Sequence, residues 1–160
     1  MAGVKKKKSR GKSAPHPLQR SASACELCTQ AGGKVLWHDK RCRVVLIADP
    51  DYAGYCRVIW NAHVQEMTDL TSVDRRHCMR VVLAVERVLR NVLEPHKINL
   101  ASFGNMTPHL HWHVIPRNLR DAHFPDAIWG KKQRRRSRHA VPVAASALRE
   151  RLAAELLNLL

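Results

Sequence analysis

The alternation of apolar and polar positions divides the chain into elements. Between positions 35 and 61 lie three short runs rich in β-branched residues, VLWHD, CRVVLIAD and CRVIWN, separated by Asp-Pro-Asp and by Ala-Gly. Runs of this kind punctuated by turn formers predict consecutive strands of an antiparallel sheet. A short helical stretch is expected around Val64 to Leu70. Over 73–93 the period changes, with Cys78, Val81, Val82, Val85, Val88, Leu89 and Val92 recurring at helical spacing. This predicts the main helix, opened by a capping box at Thr71-x-x-Asp74 and ended by Pro95. INLASF (98–103) and HLHWHVIP (109–116) read as two further strands linked by the turn-forming GNMTP. DAHFPDAIWG follows as an irregular segment held by its aromatic residues. In the closing run, Leu148, Leu152, Leu156 and Leu159 share one face of an amphipathic helix. Leu46, Val58, Ile59, Val81, Val85 and Leu89 are the expected core, and no internal repeat is present.

Length and charge refine this picture. A chain of 160 residues with 45% hydrophobic residues suffices for one compact domain with a genuine core. No window approaches the ~18 uninterrupted apolar residues of a membrane helix, and no apolar stretch follows the basic N-terminus as in a secretory signal. A cytoplasmic location without membrane contact is therefore expected. The net charge of +15 points at first to nucleic acid, but residues 1–20 hold seven Lys/Arg and 131–139 hold six, with no acid in either segment. Elsewhere bases and acids nearly balance. The organisation expected is a disordered basic tail over 1–24, a folded domain over 25–130, a basic linker over 131–143 and a C-terminal amphipathic helix over 144–160. Neither basic run carries interleaved aromatics for stacking bases, so both read as solvated extensions. Nucleic-acid contact through them is the salt-sensitive alternative. Five cysteines are an odd number in a chain without an export signal, which argues against a disulfide framework. Only Cys25-x-x-Cys28 has metal-ligand spacing.

The stretch HLHWHVIPR raises the chemical question. On a strand, His109, His111 and His113 share one face while Leu110, Trp112 and Val114 share the other. Imidazoles two residues apart lie about 6–7 Å apart between Cα atoms, a gap that one phosphate group can bridge. A neutral imidazole can attack phosphorus, and a second can stabilise oxyanion charge or protonate a leaving group. His-x-His on a strand can also contribute to a zinc site. Both readings stand on spacing alone.

His109-Leu110-His111-Trp112-His113-Val114-Ile115 resembles the histidine-triad (HIT) signature, His-φ-His-φ-His-φ-φ with φ apolar, at all seven positions. The resemblance spans roughly 25–130 and includes CELC, YCRVIWNAHVQEMTDL, INLASFGN and FPDAIWG, the words most similar to bacterial HIT hydrolases. It implies an α+β fold with a five-stranded antiparallel sheet, one long helix and one or more short ones, paired into a homodimer and binding a nucleotide. His111 falls at the nucleophile, which would form a nucleotidyl-histidine. His113 would contact the α-phosphate, and His109 would support the array. Asn99 and Asn105 fall where the family places phosphate-side or leaving-group amides. The reaction implied is cleavage at the α-phosphate of nucleoside phosphoramidates, dinucleoside polyphosphates or similar conjugates, with no metal required. A nucleotide- or RNA-binding module that uses the triad for ligand capture is the alternative.

In zinc-containing relatives the resemblance joins a C-x-x-C pair, the first triad histidine and a histidine at the position of Tyr55. Cys25, Cys28 and His109 are weak candidate ligands here. With Tyr55 in that position, little or no zinc is expected unless Cys56 or His38 substitutes. His63, a recurrent family histidine, reads as a local helix-start residue. His123 reads either as a pocket-border residue or as a surface-loop histidine. The leaving group and the base preference are not legible from the sequence.

Overall fold

The computed structural model describes residues 22–135 and 143–157. Most of the expected basic tail and linker, and Leu159, lie outside these residues. Within the tail range, Ala22–Ala24 forms a 3-10 turn.

Five strands, β1 (Lys34–His38), β2 (Cys42–Leu46), β3 (Cys56–Trp60), β4 (Lys97–Ala101) and β5 (His111–Arg117), form one antiparallel sheet in the order β1-β2-β3-β5-β4. Three helices accompany it: α1 (Glu26–Thr29), α2 (Ser72–Leu93) and α3 (Ala145–Leu157). The class is α+β, with one long helix, as the resemblance implied. The long helix starts where the capping pattern places it. Thr71 Oγ1 accepts the Asp74 backbone N–H at 3.1 Å, satisfying one of the free donors of the first turn. It ends at Glu94, which takes a left-handed conformation before Pro95. The stretch expected as a short helix around 64–70 is only a 3-10 turn, Met67–Asp69.

Strand periodicity gives the sheet two different faces. Val44, Val58 and Val114 join Val81, Val85 and Leu89 of α2 and Leu148, Leu152 and Leu156 of α3 in the main core. All the expected core residues are buried except Leu46, which is partly buried against that cluster. α3 packs on both α2 and β1. A bulge between Val35 and Trp37 lets both Leu36 and Trp37 reach this core. The β1–β2 turn is fixed by Asp39, whose Oδ1 accepts from the Arg41 and Cys42 backbone N–H groups at 2.8 and 2.7 Å. His77 of α2 places its Nε2 2.7 Å from Asp39 Oδ2, tying that turn to the helix layer.

The opposite face carries Arg43, Val45, Arg57, Ile59, Asn99, His111 and His113, by the observed register. Among the described residues no helix layer covers it. Instead the α1 segment lies over Val45 and Ile59 through Cys25 and Leu27. Arg43 holds that segment down, donating from Nε to the Ala31 carbonyl at 3.0 Å and from Nη2 to the Leu27 carbonyl at 2.6 Å. The chain then turns into β1 through Gly32, at φ 79°, where a Cβ would meet Ile59 Cδ1 at 2.8 Å and Leu27 Cδ2 at 2.9 Å. No described helix is long and apolar enough to cross a membrane.

Candidate active site

His111 and His113 project from the face left open by the helices, and their ring centroids are 4.8 Å apart. Cross-strand pairing places Ile59 opposite His111 and Arg57 opposite His113 on β3. A cleft of about 320 Å³ opens over them, lined among others by Arg57, Phe103, Asn105, His111, His113 and Trp129. Phe103 and Trp129 meet edge to face at 4.8 Å between centroids, and Trp129 lies 5.0 Å from the His113 ring. Both aromatics are about half exposed, at 48% and 51%, so they form a wall open to a ligand.

Backbone geometry fixes the tautomer of His111. Its Nδ1 lies 2.6 Å from the carbonyl oxygen of His109, an acceptor only, so Nδ1 carries the proton and Nε2 keeps the lone pair. Burial pushes the His111 pKa below its ordinary value, partly opposed by that hydrogen bond, and the charge of Arg57 pushes it further down. His113 is lowered to about 3, by burial first and then by His111 and Arg57. Both rings are therefore neutral near pH 7. His113 Nδ1 lies 2.5 Å from the Tyr55 hydroxyl, which burial keeps protonated. With the phenol donating, His113 presents Nε2–H to the cleft.

His109 differs from its neighbours. It precedes β5, and its ring is turned away from the cleft: Nε2 lies 2.6 Å from the Trp60 carbonyl, while Nδ1 lies 3.4 Å from both Cys25 Sγ and Cys28 Sγ. His63 Nδ1 lies 3.2 Å from Cys28 Sγ. Cys25, Cys28, His63 and His109 can place one ligand atom each within 4.8 Å of one another. Two main-chain hydrogen bonds bring the His63 loop here, Leu110 N to Val64 O at 2.7 Å and Trp60 N to Leu110 O at 3.1 Å. The fourth donor expected to be absent is thus supplied by His63. Neither suggested substitute serves, since Cys56 is buried in the main core and His38 is exposed on β1.

The other expected residues separate. Asn105 lines the cleft. Asn99 shares the sheet face, but its Oδ1 accepts from Arg117 Nη1 at 2.5 Å and it is not part of the cleft lining. His123 is neither a surface-loop residue nor a cleft residue. It is 6% exposed, bonded through Nδ1 to the Tyr52 hydroxyl.

Sequence reading missed three contributors. Arg57 and Tyr55 alternate with Cys56 on β3, a period-two signal that places both on the side of Ile59 and so of the histidines. His63 stands out as a recurrent family histidine but reads as a local helix-start residue, because only the pairing of its loop with the start of β5 brings it to the cysteines.

A protein-family model described as HIT domain matches residues 29–119. Among curated proteins, AP-4-A phosphorylase of Mycobacterium tuberculosis is 33% identical over 106 residues, which is 62% of this chain and 54% of that protein. The chain spans about half the length of the curated relatives it matches. Among solved structures, a histidine triad protein from Marinobacter aquaeolei superposes with a TM-score of 0.65 at 23% identity, covering 86% of this chain and 97% of that one. The histidine triad protein blr8122 from Bradyrhizobium japonicum gives 0.61 at 24%, covering 79% and 90%. Both structures share the fold described above.

Proposed function

The chain belongs to the HIT domain family, and from this we propose that it is a nucleotide hydrolase or transferase acting at the α-phosphate of nucleoside phosphoramidates, dinucleoside polyphosphates or similar conjugates. The observation that carries this reading is the His111 tautomer. An imidazole locked by a main-chain carbonyl on Nδ1, with its Nε2 lone pair in a cleft beside a neutral second histidine, is arranged as a nucleophile. The relative named AP-4-A phosphorylase supports a nucleotide conjugate as substrate.

In this mechanism Nε2 of His111 attacks the α-phosphorus and the bond to the leaving group breaks, the leaving group taking the bonding pair and, where it is an amine, a proton from water. The ring becomes an imidazolium whose charge the His109 carbonyl stabilises through Nδ1–H. His113 donates Nε2–H to a non-bridging oxygen. Water or another acceptor then displaces the imidazole from phosphorus, restoring neutral His111 and releasing a proton when water is the acceptor. Rapid-quench mass spectrometry with an adenosine conjugate should find one adenylyl group on the peptide containing His111. No adduct and no turnover with any such conjugate would defeat the proposal.

Tyr55→Phe removes the hydroxyl partner of a buried imidazole nitrogen. At about 1–1.5 kcal/mol for such a bond, kcat/KM should fall roughly tenfold. Steady-state kinetics on the same conjugate checks this, and an unchanged kcat/KM would remove Tyr55 from the mechanism.

The four-donor cluster fits a structural zinc. His109 already directs Nε2–H to the Trp60 carbonyl, which leaves Nδ1 as a lone pair facing both sulfurs, the orientation that outer carbonyls impose on metal-bound histidines. Cys25, Cys28, His63 and His109 would hold the ion, and it would supply folding free energy by cross-linking α1, the His63 loop and the start of β5. Purified protein should carry close to one equivalent of zinc, and chelation should lower its Tm. Cys28→Ser should lose most of the metal. Elemental analysis showing no metal after zinc-supplemented expression would refute the site.

A further inference from the structure

The buried arginines of this fold differ in how they are satisfied. Arg117, 2% exposed, spreads its guanidinium over Asp121, Asn99 and the Asp126 carbonyl. Arg43 donates to three carbonyls of the α1 region and to Asn61. Arg57 has no such set. It is half-buried, its Nε is excluded from solvent without an acceptor, and among the described residues no carboxylate lies within 4 Å of it. Among the described residues its partner is Tyr55, whose ring centroid lies 5.8 Å from Cζ and whose hydroxyl it also engages, and neither is an anion. A desolvated cation without a counterion is costly, so its retention in a cleft points to an anion supplied from outside.

The cleft needs that cation. Its lining contains no other Lys or Arg, so Arg57 is the one permanent positive charge among the lining residues. In register it stands opposite His113, while the nucleophile His111 stands opposite Ile59. The charge is therefore displaced along the strand by one step of same-face residues, roughly 6–7 Å, from the atom that attacks. That row is reached by the next phosphoryl groups of a chain whose α-phosphorus sits on His111. A planar guanidinium matches phosphate oxygens in pairs.

Resting on the nucleotide reading above, we propose that Arg57 binds a phosphoryl group other than the one His111 attacks, making it the residue that selects substrates by phosphate count. That group has two possible sources with one chemistry: the polyphosphate of the leaving group, or free orthophosphate positioned as the acceptor.

The test uses the full chain with Arg57→Met, of similar length and apolar, and Arg57→Lys, which keeps the charge. A charge-assisted bond of this kind corresponds to about a tenfold to hundredfold effect. The ratio of kcat/KM for a dinucleoside tetraphosphate over that for a nucleoside phosphoramidate should fall at least about tenfold in Arg57→Met and recover in part in Arg57→Lys. If orthophosphate is the bound group, it should accelerate the wild-type protein with release of a nucleoside diphosphate, and Arg57→Met should lose that acceleration. A ratio and an acceleration both unaltered by Arg57→Met overturn the proposal.

A binding measurement keeps it independent of turnover. Calorimetry with inorganic tripolyphosphate at fixed salt should show affinity about tenfold weaker in Arg57→Met than in wild type, because the basic tails are the same in both. Equal affinity overturns the proposal whatever substrate is cleaved. Weakened affinity in a protein that turns over no nucleotide would instead defeat the reading of the site as an enzyme and leave the anion site standing.

Discussion

His111→Ala is expected to lower kcat on any nucleotide conjugate by at least about four orders of magnitude, some 5–6 kcal/mol of barrier, because it deletes the atom proposed to bond to phosphorus. The fold should survive. His111 faces the cleft rather than the main core, and its ring hydrogen-bonds to the His109 carbonyl, which can take water instead. Tm and secondary structure should therefore stay close to wild type while turnover disappears. Nucleotide binding should persist in part, since His113, Arg57 and the Phe103–Trp129 wall remain. His113→Ala should retain more activity than His111→Ala, because it removes a hydrogen-bond donor and not a bond-forming atom. Near wild-type kcat in His111→Ala would remove the nucleophile from its assigned place.

The second large effect concerns stability. Asp121 and Arg117 are each about 2% exposed at their side chains and joined at 2.7 and 3.0 Å. Burial alone pushes the Asp121 carboxyl up, but hydrogen bonds from Arg117 and from the His123 and Phe124 backbone N–H groups outweigh it and hold the pKa below its ordinary value. Asp121→Ala leaves a buried guanidinium without its counterion and should cost about 3–5 kcal/mol in urea unfolding. The double variant Arg117→Met/Asp121→Ala should be less destabilised than Asp121→Ala alone, since no orphaned charge remains. A loss below about 1 kcal/mol for Asp121→Ala would contradict the pairing. The pH dependence has a definite sign. With the folded pKa below the unfolded one, the unfolded chain takes up the proton first. The contribution is therefore complete above the ordinary carboxylate value of about 4 and is lost as pH falls through the folded value.

This pair also bears on the cleft. Arg117 Nη2 donates to the Asp126 carbonyl at 2.8 Å, and Arg134 Nη1 to the Phe124 carbonyl at 2.8 Å. The segment that carries Trp129 is thus fastened by arginine hydrogen bonds, which is how an irregular stretch can present a fixed wall. Its aromatic residues were expected to hold it. Ring contacts of Phe124 and Trp129 do contribute, and the Arg117–Asp121 pair adds to them, a feature invisible in hydropathy because these two look like solvent-facing residues until the fold encloses them.

The linear pattern was sufficient for whatever depends on neighbours in the chain. Period-two alternation placed His111 and His113 on one strand face, and 3.6-residue spacing drew the helix at 72–93 almost to its ends, because both periodicities are set by backbone geometry. The Thr71 cap and the stop at Pro95 are likewise local chemistry. Only the tertiary structure decided the rest. The ring of His109, the first of three alternating histidines, left its companions for the two cysteines, since β5 begins at His111 and the preceding residues follow the Trp60 and Val64 main chain. His63 reached Cys28 across 35 positions of sequence. Asn99 was drawn to Arg117, and Arg57 was left facing His113 with no acceptor for its Nε. Each of these outcomes depends on strand register and on competition among distant groups for a limited number of buried hydrogen bonds, and neither quantity is written in local spacing.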